Sequence, residues 1–384
     1  MAAIGGIFNR DGRAVDTDAL VRMSKALLCR GGEEREAHVD RNAGIFFGIG
    51  RDSSQCPVAT CREQGDLLLL CDGEIYTGSE RDRERARFFG ESDAQIAIEA
   101  YRKYGRVFGE YISGEYAVAV YDRQRCELML LRDPLGGRPL YYSDDGDRVV
   151  FCSEIKGIVA TSELPVKIEK ARLCEHIFSS CGGYDGVGLY SGIAQVERGG
   201  GCIISRFPTA AFSFKGIEPS FGERGMRIID GGICVPDEAE LRRLLYELLY
   251  AFDYPQFDCF IPSFLRDIRR AEELGGSVAV SDVTLCANIY YSTERRDRLC
   301  CIAGVRVPCV PPSGVTVRER ELRKFERTVK SLLFDTDKEA LAYIFGAEWE
   351  RDVAGIGNTE RRIRTMGMMI QAVTFCESYP IRLV

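Results

Sequence analysis

Side chains able to do chemistry are unevenly supplied in this chain. It has 16 cysteines but only two histidines, His38 and His176, so a nucleophile would find few bases to activate it. The cysteines stand singly: no C-x-x-C pair occurs, the one short spacing is Cys56 to Cys61, and Cys300 adjoins Cys301. Such scatter fits reduced, mostly buried thiols better than a disulfide framework or a zinc site, and no metal is expected. Neither HVD around His38 nor CEHIF around His176 has a nucleophile-and-base pattern. His176 reads as a packed or surface histidine, with Cys174 facing away from it on a helix. The GGG at 199–201 precedes CIIS instead of leading from a strand into a helix, which makes it a poor phosphate cradle and a better linker.

The elements that would position any site have a clear rhythm over the first 160 residues. An apolar strand, Ile4 to Phe8, precedes a helix that starts near Asp16 or Thr17, buries Leu20, Met23 and Leu27 on one face, and ends at Gly31 and Gly32. Strands follow around Gly44 to Gly48 and Leu67 to Cys71. ESDAQIAIEAYRKYG is a second helix, with Ser92 and Gln95 spaced as a capping box and Gly105 as its stop. EYAVAVYDR, CELMLLRD, PLYYS and RVVFC are further short strands, and Asp145-Gly146 is a hairpin turn between the last two. Many strands with few helices, and no parallel βαβ repeat, indicate an α+β domain of helices over mainly antiparallel sheets. Beyond a glycine-rich connector the composition changes: EAELRRLLYELLY sets Leu241, Leu244, Leu245, Leu248 and Leu249 on one stripe, and helices dominate from Asp237 on, with SVAVS at 277–281 as a strand among them. The boundaries expected are 1–165 for the first domain, 166–205 for the connector and 206–384 for the second domain.

Four segments of the first domain, in order, resemble the glutamine amidotransferase domain of asparagine synthetase, a class II amidotransferase of the N-terminal-nucleophile hydrolase type. MAAIGGIFNRDG resembles M-C-G-I-A-G-I-F, CRGGEE resembles H-R-G-P-D-[DE], CDGEIYT resembles N-G-E-I-Y-N, and RDPLGGRPLYY with FCSEIKGI resembles R-D-x-x-G-x-x-P-L-Y-Y with F-[AS]-S-E-[IL]-K-x-[IL]. The resemblance implies layered antiparallel sheets with helices, and glutamine hydrolysis by an N-terminal cysteine whose own α-amino group is the base. Ala2 stands where that cysteine belongs, and its methyl group cannot attack a carbonyl. The family's oxyanion donors, an Asn side chain and the following Gly amide, correspond to Asp72 and Gly73. A carboxylate only accepts hydrogen bonds and repels an oxyanion. Arg51 and Asp93 stand where the family pairs the carboxylate and ammonium of glutamine, so the resemblance implies a residual amino-acid pocket of Arg51, Gly73, Glu74 and Asp93. Plain alternatives exist: Asp93 lies in the first turn of a capped helix, where a carboxylate is favoured anyway, Arg51 fits an ordinary loop, and Gly73 and Glu74 fit a turn.

Three later stretches, AFSFKGIEPSFGERGMRII, AFDYPQFDCFIPSFL and RRDRLCCIAGVRVPC, resemble parts of the same family's synthetase domain in family order. The implied fold is a helix-rich α/β remnant of an ATP-pyrophosphatase-type domain. The family's S-G-G-x-D-S pyrophosphate loop has no counterpart in these 384 residues, and the chain runs from GGGCIISRF to AFSFKG across the place where it belongs. SVAVSDVTLCANIYY keeps Ser281 but has Cys286 and Ala287 for two acids, Gly304 replaces a catalytic glutamate, and Pro311 replaces a later acid. Those losses remove the means to hold Mg-ATP and to activate a carboxylate.

The expected function is therefore a catalytically inactive homologue acting as a binding, scaffold or regulatory partner, without a cofactor. The rival is an ATP-dependent amide-forming ligase with a rebuilt site, the one case that would call for ATP and magnesium. Expected partners are a second copy, an active homologue or a pathway protein, with glutamine or glutamate as a possible small ligand. With a net charge of −7 and its basic residues interleaved with acids, as in VRERELRKFERTVK, the chain offers no cationic face for nucleic acid. The absence of an ~18-residue apolar run or a signal pattern argues against a membrane and for a cytoplasmic address.

Overall fold

The structure, a computed structural model, describes residues 2–28, 30, 35–48, 59–76, 92–162, 166–178, 188–215, 227–229, 234–257, 261–263, 265–266, 278–280 and 319–384. Contacts divide the chain into two units. The first takes residues 1–163, 192–222 and 292–297, and the second takes 164–191, 223–291 and 298–384.

Two antiparallel sheets of six strands form the first unit. One contains β1 (Ala3–Asn9), β2 (Arg35–Asp40), β3 (Ala43–Gly48), β8 (Tyr141–Asp144), β9 (Arg148–Cys152) and β11 (Ile193–Gln195), in the order β11-β8-β9-β1-β3-β2. The other contains β4 (Ala59–Gln64), β5 (Leu67–Tyr76), β6 (Ser113–Asp122), β7 (Glu127–Arg132), β12 (Gly200–Ile204) and β13 (Ala210–Ser213), in the order β13-β12-β7-β6-β5-β4. Strand alternation explains how they stack. Ala2, Ile4 and Phe8 from the first sheet pack with Leu68, Leu70, Ala117 and Ala119 from the second in one buried cluster between the sheets. The intervening residues Leu69, Cys71, Val118 and Val120 face outward into a second cluster with Ala94, Ala97, Ile98 and Tyr101 of helix α2 (Asp93–Tyr104). Helices α1 (Thr17–Ala26) and α3 (Ile155–Val159) cover the other sheet. The α+β architecture of helices on layered antiparallel sheets is thus present as expected.

Helix ends follow the local chemistry. Asp16 caps α1 by accepting from the amides of Asp18 and Ala19, at 2.9 and 3.1 Å. Ser92 caps α2 by accepting from the Gln95 amide at 3.2 Å, and Gly105 stops it at φ 62°. The reciprocal half of a capping box is not formed, because the Gln95 side chain turns along the helix to Glu99 instead.

Residues 166–205, expected as a connector, are built into both units. Strand β10 (Val166–Ile168) and helix α4 (Lys170–Phe178) belong to the second, whereas β11 and β12 complete sheets of the first. Of the glycines read as linker, Gly200 and Gly201 open β12, where Gly201 pairs with Leu131 on one side and Phe212 on the other, and Gly199 precedes it. A Cβ on Gly201 would lie 2.5 Å from the Leu130 carbonyl oxygen, so glycine is there to let strands approach closely.

The second unit is rich in helices: α4, α5 (Glu238–Phe252), α6 (Glu319–Asp335), α7 (Lys338–Phe345), α8 (Trp349–Ala354) and α9 (Thr359–Ser378). Asp237 and Glu240 form a full capping box on α5, and its leucine stripe is buried as the periodicity requires. Helix α9 is buried nearly all round, from Ile363 through Phe375, and packs on α5 and α6. Inside it, the Gln371 amide donates to the Leu245 carbonyl and accepts from the Gln256 amide, both at 2.8 Å. Two short parallel pairs complete the unit: β10 with β16 (Ile381–Leu383), and β14 (Arg227–Ile229) with β15 (Val278–Val280), the latter being the strand read from SVAVS.

Candidate functional site

Ala2 immediately precedes β1, the strand whose inward residues line the space between the two sheets. It has no exposed surface, and its methyl group packs in the inter-sheet cluster with Leu70 and Ala117. Nearby, Ser153 ties this end of β1 to the end of β9. Its hydroxyl accepts from the Ile4 amide at 3.0 Å, and its amide donates to the Ile4 carbonyl at 2.9 Å. The S-E-I-K segment is thereby fastened beside Ala2 by backbone geometry.

Across the sandwich, Asp72 follows Leu68 and Leu70 on the same face of β5 and pairs in register with Ala117. Its carboxylate is fully buried, and Oδ2 accepts from Arg30 Nη2 at 2.9 Å; that guanidinium has 0% exposure as well. Arg30 Nη1 lies 3.9 Å from Glu154 Oε1, and Glu154 in turn contacts the ammonium of Lys156. Two cations and two anions therefore form a chain with no net charge, which is the condition under which buried charges persist. The Asp72 carboxylate itself has no hydrogen to donate to a developing oxyanion. The asparagine of the family donates at this position; Asp72 can only receive, and its Oδ2 is taken by Arg30.

Gly73, expected to serve a turn, lies in mid-strand. Its φ is 130° and a Cβ there would sit 2.0 Å from the Glu115 carbonyl oxygen, so only glycine fits between β5 and β6. Glu74 follows, half-buried and in register opposite Glu115. Asp93, at the start of α2, accepts from the Ile75 amide at 2.8 Å and so ties the helix to the end of β5. That bond commits one carboxylate oxygen to the fold. Arg51, the proposed carboxylate partner, lies outside the described residues, as do Gly304, Ser281, Cys286, Ala287, Pro311 and the pair Cys300 and Cys301.

No substitute nucleophile replaces the missing cysteine among these groups. Cys71 adjoins Asp72 but points under α2, where burial first, and the nearby Asp93 and Asp72 carboxylates next, hold its thiol well above its usual range. A thiol kept protonated is a poor nucleophile. Cys152 is likewise buried, with Sγ 2.3 Å from where a Cβ on Gly157 would stand, so that α3 meets it through a glycine. His176 is packed in the second unit, with Nε2 2.7 Å from the Pro255 carbonyl and its ring edge-on to Tyr254. Among the described residues, no group of His, Cys, Asp and Glu is arranged to hold a metal.

The R-D-P-L-G-G segment is structural. Arg132 gives its guanidinium to the carbonyls of Arg138, Gly136 and Val196 at 2.7, 2.9 and 3.1 Å. Asp133 accepts from the amides of Leu135 and Gly137 at 2.9 Å and of Tyr116 at 3.2 Å. Burial nonetheless pushes its carboxyl up to about 6, against the pull of Arg132. The residues missed by sequence reading are Arg30, Glu154 and Lys156. All three lie in the quoted segments CRGGEE and FCSEIKGI, and an acid in place of a buried asparagine was the signal that a counter-ion had to be near.

Comparison with known proteins agrees with these segments. The signature of the glutamine amidotransferase domain matches residues 1–212. The chain is 27% identical over 187 residues to the glutamine-hydrolyzing asparagine synthetase 3 of Bacillus subtilis, covering 46% of this chain and 30% of that one. It is 25% identical over 191 residues to a putative glutamine-hydrolyzing asparagine synthetase 2 of Methanocaldococcus jannaschii, covering 44% and 36%. The match thus spans about a third of the length of these relatives. Among solved structures, glutamine phosphoribosylpyrophosphate amidotransferase from B. subtilis, complexed with ADP and GMP, is similar at 16% identity and a TM-score of 0.37, covering 56% of this chain and 49% of the other. With the domain signature extending over more than half its length, the chain belongs to the asparagine-synthetase-type class II glutamine amidotransferase family.

Proposed function

We propose that this protein is a catalytically inactive member of its family that acts by binding, as a scaffold or regulatory partner. The observation that carries this reading is the buried Arg30–Asp72 pair, which stands where the family aims a donor at an oxyanion. The methyl of Ala2 at the position of the nucleophile supports it from the facing sheet. A single loss is open to compensation from a neighbour; here the neighbouring thiol, Cys71, is held protonated beneath a helix. The missing pyrophosphate loop and the changes at Cys286, Ala287 and Gly304 extend the loss to the ligase chemistry. No cofactor is then required, and ATP and magnesium have no role.

The proposed partner is a second copy, an active homologue or a pathway protein in the cytoplasm, and glutamine or glutamate is the proposed small ligand of whatever remains of the pocket. Among the described residues no helix is long and apolar enough to cross a membrane. Affinity purification from the native host, followed by mass spectrometry, tests the binding role. Stoichiometric recovery of a relative with an intact N-terminal cysteine and S-G-G-x-D-S loop supports it. Recovery of the chain alone, together with ATP-pyrophosphate exchange by the purified protein, overturns it.

A further inference from the structure

A separate cavity lies at the other end of β1 from Ala2. It measures about 530 Å³ and is lined by Ile7, Asn9, Arg13, Ala14, Asp16, Asp145, Asp147 and Arg148. Six residues of strand separate Asn9 from Ala3, about 20 Å at the usual rise, so this is not the amidotransferase pocket. Its volume is within the usual range of small-molecule sites.

Which lining groups are available follows from their bonds. Asp16 is committed to capping α1. Asp145 accepts from the amides of Asp147 and Arg148 in the hairpin turn, at 3.1 and 2.7 Å. Arg13 is engaged by Asp11. Apart from Asp145 Oδ2, which among the described residues only Arg148 approaches, at 3.9 Å, three functions remain. The Asp147 carboxylate accepts no hydrogen bond and forms no close ion pair among the described residues, although the charge of Arg10 acts on it through space. Arg148 has only a loose approach of Nε to Asp145 Oδ2, at 3.9 Å, which leaves the fork of its guanidinium open. Asn9 spends its amide nitrogen on the carbonyls of Arg13 and Ala14, at 3.1 and 3.0 Å, which leaves its side-chain oxygen as an acceptor. One open guanidinium, one open carboxylate and one open amide oxygen, above the apolar Ile7 and Ala14, complement a molecule that carries a carboxylate and an ammonium together.

We infer that this cavity is a binding site for a small zwitterion of the α-amino acid or dipeptide class, its carboxylate on Arg148 and its ammonium shared by Asp147 and Asn9. The site does not depend on whether the amidotransferase chemistry survives. Titration of the full chain with L-alanine and with glycylglycine, followed by amide chemical shifts, tests it. Saturable shifts at Ile7 and at the 145–148 turn are expected for at least one probe, weakened at least tenfold by Arg148→Met and by Asp147→Asn. Both side chains lie outside the core, and an unchanged melting midpoint checks that each variant is folded. Acetate and methylammonium, each carrying one of the two charges, are expected to bind at least tenfold more weakly. No saturable shift with either zwitterion, equal binding of the single-charge probes, or unaltered affinity in both variants overturns the assignment.

Discussion

Asp72 and Arg30 lose all contact with solvent, and each neutralises the other. Removing one member of such a pair strands the other, at a cost of about 3–5 kcal/mol. Asp72→Asn, the change that would restore the family residue, is therefore expected to lower stability in urea unfolding by no more than that amount, since Glu154 stays 3.9 Å from Arg30, whereas Asp72→Asn with Arg30→Met recovers most of the loss. A single variant as stable as the parent contradicts this. Ala2→Cys combined with Asp72→Asn is expected not to restore glutamine hydrolysis, since breaking the buried Asp72–Arg30 pair disturbs the strand that would carry the new donor. The substitutions at Ala2 and Asp72 were legible in the sequence because they break fixed motifs. The counter-ion was not, because Arg30 lies 42 positions away and meets Asp72 only when the sheets stack.

Hairpins and turns in the first unit are joined by one arginine. Arg10, just after β1, donates to the carbonyls of Ser205 and Phe207 beyond β12, to the Gly146 carbonyl in the β8–β9 turn, and to Asp144 and Thr209. Its hydrogen bonds hold the Asp144 carboxyl well below the usual carboxylate range. In the unfolded chain Asp144 takes up its proton near pH 4, so the stabilisation is present at neutral pH and is lost progressively as the pH falls below about 4. Asp133 has the opposite sign: its carboxyl is raised to about 6, so its contribution is present below about pH 4 and is lost as the pH rises through about 6. Chemical unfolding between pH 3 and 8 should show both limbs, with Asp144→Asn flattening the acid one; an unchanged acid limb in that variant contradicts the assignment. Strand β5 makes a sharper test of packing. Gly73→Ala places a methyl 2.0 Å from the Glu115 carbonyl at a φ of 130°, and the backbone strain alone is about 1–3 kcal/mol. A melting point equal to the parent's would show that β5 and β6 separate more easily than their register implies. The strands that periodicity found are those with apolar faces. Strand β2, REAHVD, escaped because it is a mostly exposed edge, and β12 escaped because its glycines read as linker.

For the molecule as a whole, the domain signature covers residues 1–212, and the described sheets use almost the same span, ending with β13 at Ser213. A boundary at 165 follows from composition, since the apolar strands stop there; the return of residues 193–213 to both sheets is a long-range pairing that no local pattern announces. Helix α5 was legible in the sequence from its leucine stripe, but α9, buried on nearly every side, has no amphipathic period to reveal its central place. If the family's sandwich has been kept without its chemistry, one measurement bears on it most directly: release of glutamate from glutamine by the purified, unmodified protein over hours at near-stoichiometric enzyme. No release above the buffer blank is predicted, and Ala2→Cys alone should not change that. Sustained multiple turnovers by the unmodified chain would contradict it, because they would require a nucleophile and an oxyanion donor where Ala2 and Asp72 now stand.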